Sequence, residues 1–198
     1  MSAKSVNPWL TMWYRPSEAM RYVLEHYPRR LIHTLAILGA FTHIANSASF
    51  YWHSWWVTVL IWILLAIITG LITLYIFGGL IKWTGNWLHG SASMQQVLSA
   101  IAWSQIPVLY FFIIQMIILA IMAGDTSNVV FASFRFVFTI WGLIIFLACL
   151  KESQRFSFFK ALINYILATI VIAIIVIIAS LITVFFGSSS GDYTPQTK

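Results

Sequence analysis

The chain has 198 residues, of which 61% are hydrophobic and only 8% charged. A soluble domain carries about 25% charged residues. A mean hydropathy of +0.89 therefore excludes a soluble enzyme, a disordered tail protein and a disulfide scaffold. The net charge of +6 comes from basic residues gathered in particular loops, which reads as membrane topology and not as nucleic-acid binding. The lone Cys149 lies in an apolar run, so an intrachain disulfide and a multi-cysteine metal site are both excluded.

The expected fold is all-α, a polytopic membrane protein with five transmembrane helices and a short N-terminal amphipathic helix. Residues 1–30 read as cytosolic interfacial helices. Asn7-Pro8 has the form of an N-cap followed by proline at the first helical position, and Pro16 ends that piece. From Pro16 to about Tyr27 the residues Ala19, Met20, Val23, Leu24 and Tyr27 fall on one stripe, with Glu18, Arg21, Glu25 and His26 mostly opposite. Met20, Val23 and Leu24 are expected against lipid or against the bundle.

A helix needs about 20 apolar residues to cross ~30 Å of hydrocarbon. Five stretches of a 31–186 membrane domain qualify: about 31–49, 55–81, 97–123, 129–150 and 161–186, followed by an outer tail, 187–198. The first holds His33, His43 and Asn46, and the third holds Pro107. The fifth is Ile/Val-rich all round, with Asn164 and Ala168 as its inward markers, and is expected at the bundle edge. In the turn after the second span, Gly85 and Gly90 bracket Asn86 to His89. Ser93 to Gln96 then has the S-x-x-Q form of a capping box.

Nine of the eleven Lys and Arg residues fall in the N-terminal segment, the 82–96 turn and the 151–160 turn. Short-loop Lys and Arg mark the cytosolic side. The N-terminus is therefore expected inside and the C-terminus outside. Four spans with the first lying in the interface would break this alternation.

The order of Asn7-Pro8-Trp9, Arg15-Pro16, five spans, Trp83-Thr84-Gly85, Ser93, Ala102-Trp103-Ser104 and Pro107 resembles the Yip family, the Ypt-interacting proteins and their bacterial relatives. The resemblance covers nearly the whole chain. It implies five spans with a cytosolic N-terminus. Eukaryotic members bind prenylated Rab GTPases, associate with one another and act in vesicle traffic. Here the N-terminal region is short and their Asp-Leu-Tyr-Gly-Pro motif is absent. The chain looks like the bacterial branch, which implies a bacterial cytoplasmic membrane, and Rab binding is not carried over.

Chemistry at membrane depth is sparse. Glu18, Glu25, Asp125, Glu152 and Asp192 all lie outside the expected spans, which weighs against a carboxylate-based pump or hydrolase. Histidines 33, 43 and 53 recur every ten residues, which is no single helical face, so no metal and no cofactor is expected. The tryptophans at both boundaries read as an aromatic belt. Small-residue stripes centred on Gly39, Gly70 and Gly142 predict where helices meet.

Arg135 lies about 9 Å below the outer end of its span, Gln115 about 12 Å and His43 about 9 Å, counting 1.5 Å per residue. This depth match gives a candidate polar cluster from three spans, one that suits an anionic or carbonyl-bearing ligand or serves as a structural hydrogen-bond hub; the alternative is that Arg135 snorkels outward to headgroups or to Asp125. The expected function is non-enzymatic, a membrane-organising or adaptor role through self-association and partner binding in the lipid bilayer. The alternative is a small transporter or channel for an unidentified solute.

In a Cys149→Ser background, single cysteines at Ser127 and Ser157 should label from opposite faces of sealed cells. Labelling of both from one face would end the five-span topology.

Overall fold

Apolar runs fold as helices because lipid offers a backbone no partner but itself. The computed structural model describes residues 7–27, 29, 31–47, 55–121 and 129–189, and every element among them is helical. The turn at 50–54, the Asp125 turn and the tail from residue 190 lie outside the described residues, so the expectations placed on them are not addressed. The helices are α1 (Pro8–Thr11), α2 (Pro16–His26), α3 (Ile32–Ser47), α4 (Trp55–Trp87), α5 (Met94–Trp103), α6 (Ile106–Ile121), α7 (Val129–Gln154) and α8 (Phe158–Ser189).

Among the described residues four stretches are long and apolar enough to cross a membrane: Trp56–Trp87, Met94–Ile118, Ser133–Gln154 and Phe158–Phe185. The first expected span, about 31–49, corresponds to α3, which has 16 residues, or about 24 Å, and is not among those four. It lies antiparallel to α4. His33 Nε2 is 2.7 Å from the Tyr75 hydroxyl, Gly70 faces Ala36 and Ile37, and Phe41 meets Trp62 edge-on. Next, α6 runs beside α3, and Phe111 on α6 stacks on Phe138 of the antiparallel α7 at 4.3 Å. Finally, α8 joins α7 and α4 through Tyr165, which touches Phe146 and Phe77.

The sequence cues at helix ends are realised. The Asn7 side chain accepts from Trp9 N–H at 3.1 Å. Ser93 and Gln96 form a reciprocal capping box at the start of α5. Both α4 and α7 end in Schellman turns. Gly90 N–H donates to the Gly85 carbonyl at 2.8 Å, and Phe156 N–H to the Lys151 carbonyl at 2.9 Å. His89 and Arg155 hold the left-handed position with φ of 65° and 58°.

These two turns and α2 gather at one end of the bundle, here called basal, and the core lies there. α2 buries Ala19, Met20 and Val23 completely, with Leu24 packed partly against the core. Arg21 pairs with Glu152 of α7 at 2.9 Å, and Arg29 Nε donates to Gln95 Oε1 at 2.9 Å. The N-terminal segment wedges further in. Met12 is fully buried and accepts from the Cys149 thiol at 3.6 Å. Trp9 lies on Trp103, and Trp13 reaches Tyr110 and Phe138.

A polar clasp joins α4, α7 and α8 in this half. Asn164 Nδ2 donates to the Ile81 carbonyl at 3.2 Å, and Gln154 Nε2 does so at 3.5 Å. Thr84 donates to Asn164 Oδ1 at 2.6 Å. All three side chains are buried. Gly85 and Gly90 admit them, because a Cβ at either position would run into the Gln154 amide. The clasp also explains why α4 continues past Ile81 to Trp87.

Close approach of α3 and α4 depends on Gly70, whose added Cβ would stand 3.0 Å from the Ala36 carbonyl oxygen and the Ile37 Cα. Gly79, one helix face away, would meet nothing within 4 Å. Gly70→Leu should therefore lower stability by about 1–3 kcal/mol through overpacking. Gly79→Leu should leave the thermal midpoint in detergent unchanged or raised. Equal effects would refute the close α3–α4 contact.

Candidate functional site

The third expected span is not one helix. Proline has no N–H and its ring clashes with the preceding turn. Two residues before Pro107 the chain turns, ending α5 at Trp103 and restarting as α6 at Ile106. Ser104 caps the break by donating its hydroxyl to the Ile101 carbonyl at 2.8 Å. Gln105 lies eleven residues after Met94, about 16 Å along the helix axis, near mid-membrane depth.

Two cavities meet at this break. One, of about 440 Å³, lies between α3, α4 and α5 and is bordered by Gly39, His43, Thr69, Thr73 and Gln105. The other, of about 410 Å³, lies between α3, α6, α7 and the start of α8, where Asn46, Ser104, Arg135, Thr139 and Tyr165 face it. His43, Thr73, Ile101 and Gln105 border both. Gln105 rests on Gly39, where a Cβ would come 2.9 Å from its Cγ. Its Oε1 is buried without a hydrogen-bond partner.

The polar cluster expected from the sequence is placed as follows. His43 and Arg135 line the same cavity. Gln115 does not line it but stands behind it, buried, and donates from Nε2 to Asn46 Oδ1 at 2.6 Å. Arg135 is exposed. Its guanidinium has no hydrogen-bond or ion-pair partner among the described residues. Thr139 spends its proton on the Arg135 carbonyl at 2.9 Å.

Asn46 and Gln105 are the members that the sequence reading missed. Asn46 is three residues after His43 and shares its face, which was a usable signal. For Gln105 the signal was Pro107, since a proline inside a span frees backbone groups that a neighbouring polar side chain or a cavity must satisfy. Gly142 differs from expectation. It borders the cavity, with Val108 4.0 Å from its added Cβ, and seats no close helix contact. Gly39 and Gly70 do lie at contacts, with Gln105 and with α3.

No carboxylate is among the described residues lining either cavity. Among the described residues no three His, Cys, Asp or Glu converge. The site has hydrogen-bond donors, one cation and aromatic walls. It can bind and orient a ligand.

The sequence profile of the Yip1 domain matches residues 10–181, from the α1 wedge to the last turns of α8. The chain belongs to the Yip1 domain family. No curated protein and no solved structure matches it. The Yip1 match spans the wedge, the clasp, the broken helix and both cavities, so these features all fall within the family domain.

The Asn46–Gln115 bond ties α3 to α6 behind the cavity. A double-mutant cycle of Asn46→Leu and Gln115→Leu should give a coupling of about 0.5–1.5 kcal/mol, the range for polar pairs inside membranes. Thermal unfolding in detergent measures it. Additive effects would show that the pair is not formed.

Proposed function

We propose that this Yip1-domain protein is a non-enzymatic membrane-organising unit that acts by associating with copies of itself and with partner proteins. In this reading α3 is the first of five spans. The N-terminus and both basal turns face the cytosol, and the tail lies outside, in a bacterial cytoplasmic membrane. The positive basal end supports the orientation, since Arg15, Arg21, Arg29, Lys82, Lys151, Arg155 and Lys160 all lie there.

The observation that carries the reading is α8. Only 6% of its most apolar stretch is buried, against 61% for the α5–α6 span. Ala161, Asn164 and Ala168 seat it. Beyond them the helix runs on to Ser189 with its side chains exposed from Ala173 to Phe185. Lipid covers such a surface at no cost, so the helix is free to exchange lipid for another helix. The family likeness, with self-associating eukaryotic members, points the same way.

A second reading, a small transporter, is favoured by the broken helix beside a polar cavity, a feature of transporter binding sites. The test separates them. With Cys149→Ser as background, single cysteines at Ile177 and Ile182 should give disulfide-linked dimers in native membranes, while Leu60→Cys on α4 should not. Absence of α8 cross-links, together with uptake of small anions into vesicles containing the purified protein, would replace the first reading by the second.

A further inference from the structure

We propose that the cavity of about 410 Å³ bounded by α3, α6 and α7 binds one anionic amphiphile, a lipid from the leaflet on the distal side, with its phosphate or carboxylate head at Arg135 and its hydrocarbon on Phe111, Phe138 and Phe146. This goes beyond the organising role and depends on neither functional reading.

Four observations carry it. First, Arg135 borders the cavity with no ion-pair partner among the described residues, and no carboxylate is among the described residues that line the cavity. A guanidinium at that depth is costly unless it is paired or reaches water, and an anionic head supplies the missing charge in bidentate geometry.

Second, the neighbouring polar groups are left as a head-and-linker site requires. Asn46 accepts from Gln115 through Oδ1 at 2.6 Å and borders the cavity, where its amide N–H groups are donors a ligand head can use. Gln105 Oε1 lacks a hydrogen-bond partner and suits a hydroxyl or glycerol group deeper in.

Third, the remaining wall is aromatic. Phe111 and Phe138 stack at 4.3 Å, and Phe146 meets Tyr165 edge-on at 5.7 Å. Gly142 keeps space open beside them, with the nearest atom, of Val108, 4.0 Å from its added Cβ. The volume falls within the range of about 300–1,000 Å³ typical of small-molecule sites.

Fourth, the entrance faces the bilayer. Arg135, Thr139 and Trp141 line the cavity and are themselves exposed on α7, so the site opens on the flank of the bundle. A lipid enters sideways with its head at the arginine and its chain inward, whereas a free anion would have to pass the bilayer surface to reach it.

The experiment uses the full chain purified in a neutral detergent. Native mass spectrometry counts bound phosphatidylglycerol, phosphatidylcholine of the same chains, and inorganic phosphate. The wild-type protein should bind one phosphatidylglycerol at least about tenfold more tightly than phosphatidylcholine, whose choline cation offsets the phosphate charge and is repelled by Arg135. Arg135→Leu should abolish that preference and Arg135→Lys should keep most of it. Gly142→Leu should weaken both lipids with the charge intact, because it fills the chain site. Unchanged thermal melting identifies folded variants; if Arg135→Leu fails to fold, Arg135→Lys and Gly142→Leu carry the test. Equal binding of the two lipids by the wild type, or unaltered binding by Gly142→Leu, would overturn the proposal. Displacement of the lipid by millimolar inorganic phosphate would overturn it in favour of a free-anion site.

Discussion

The Ile81 carbonyl is the point on which three helices are hung. A carbonyl oxygen has two lone pairs, and here it receives side-chain amides from Asn164 of α8 and Gln154 of α7 at 3.2 and 3.5 Å. In water such bonds are nearly neutral exchanges. In a buried, low-dielectric site, an amide without a partner costs about 1–3 kcal/mol, so the three helices stay in register because separating them strands these groups. Gly85 and Gly90 are the condition for it, since any side chain there would occupy the space of the Gln154 amide.

From that register follows the unequal build of the molecule. The basal half holds the fully buried residues of α2 and α5 and of the ends of α4, α7 and α8, among them Val23, Ile81, Trp103, Leu150 and Ala161. The α1 wedge seals it, with Met12 against Cys149. In the distal half α8 leaves the bundle and Gly142 faces open space toward α6. Pro107 sits at the junction, and its helix break delivers Ser104 and Gln105 to the cavity. The basal half closes its polar groups into the clasp, whereas in the distal half Ser104, Gln105 and Arg135 border a space and Asn46 pairs with Gln115 behind it.

Helical periodicity and depth counting made part of this legible before any coordinates. Asn164 and Ala168 stood out on α8 as polar and small residues in an otherwise uniform Ile/Val helix, and both are fully buried. Ser93 and Gln96 announced their own cap because capping is a local contact. Counting rise per residue set Arg135 and His43 at one depth, and they border one cavity. What stayed hidden was the choice of distant partners. Trp9 and Trp13 read as members of an interfacial belt, yet they pack on Trp103, Tyr110 and Phe138. Gln154 lay beyond the apolar run and carried no sign that it folds back under the α4 turn. Gly142 has the composition of a packing site, but small size permits close approach without causing it.

The same asymmetry bears on which way a ligand enters. Passage through to the basal side would require α4, α7 and α8 to part at the clasp. That step strands the Ile81 carbonyl's two donors and the Thr84–Asn164 pair, each at about 1–3 kcal/mol, and exposes the wholly buried run from Val97 to Ser104 on α5. Entry from the side requires neither. The lining residues Arg135, Thr139 and Trp141 are already exposed at the flank, and the bonds among the cavity side chains can stay in place. A fold locked below and open at its flank is better arranged to hold a molecule of the bilayer itself than to pass a solute across it.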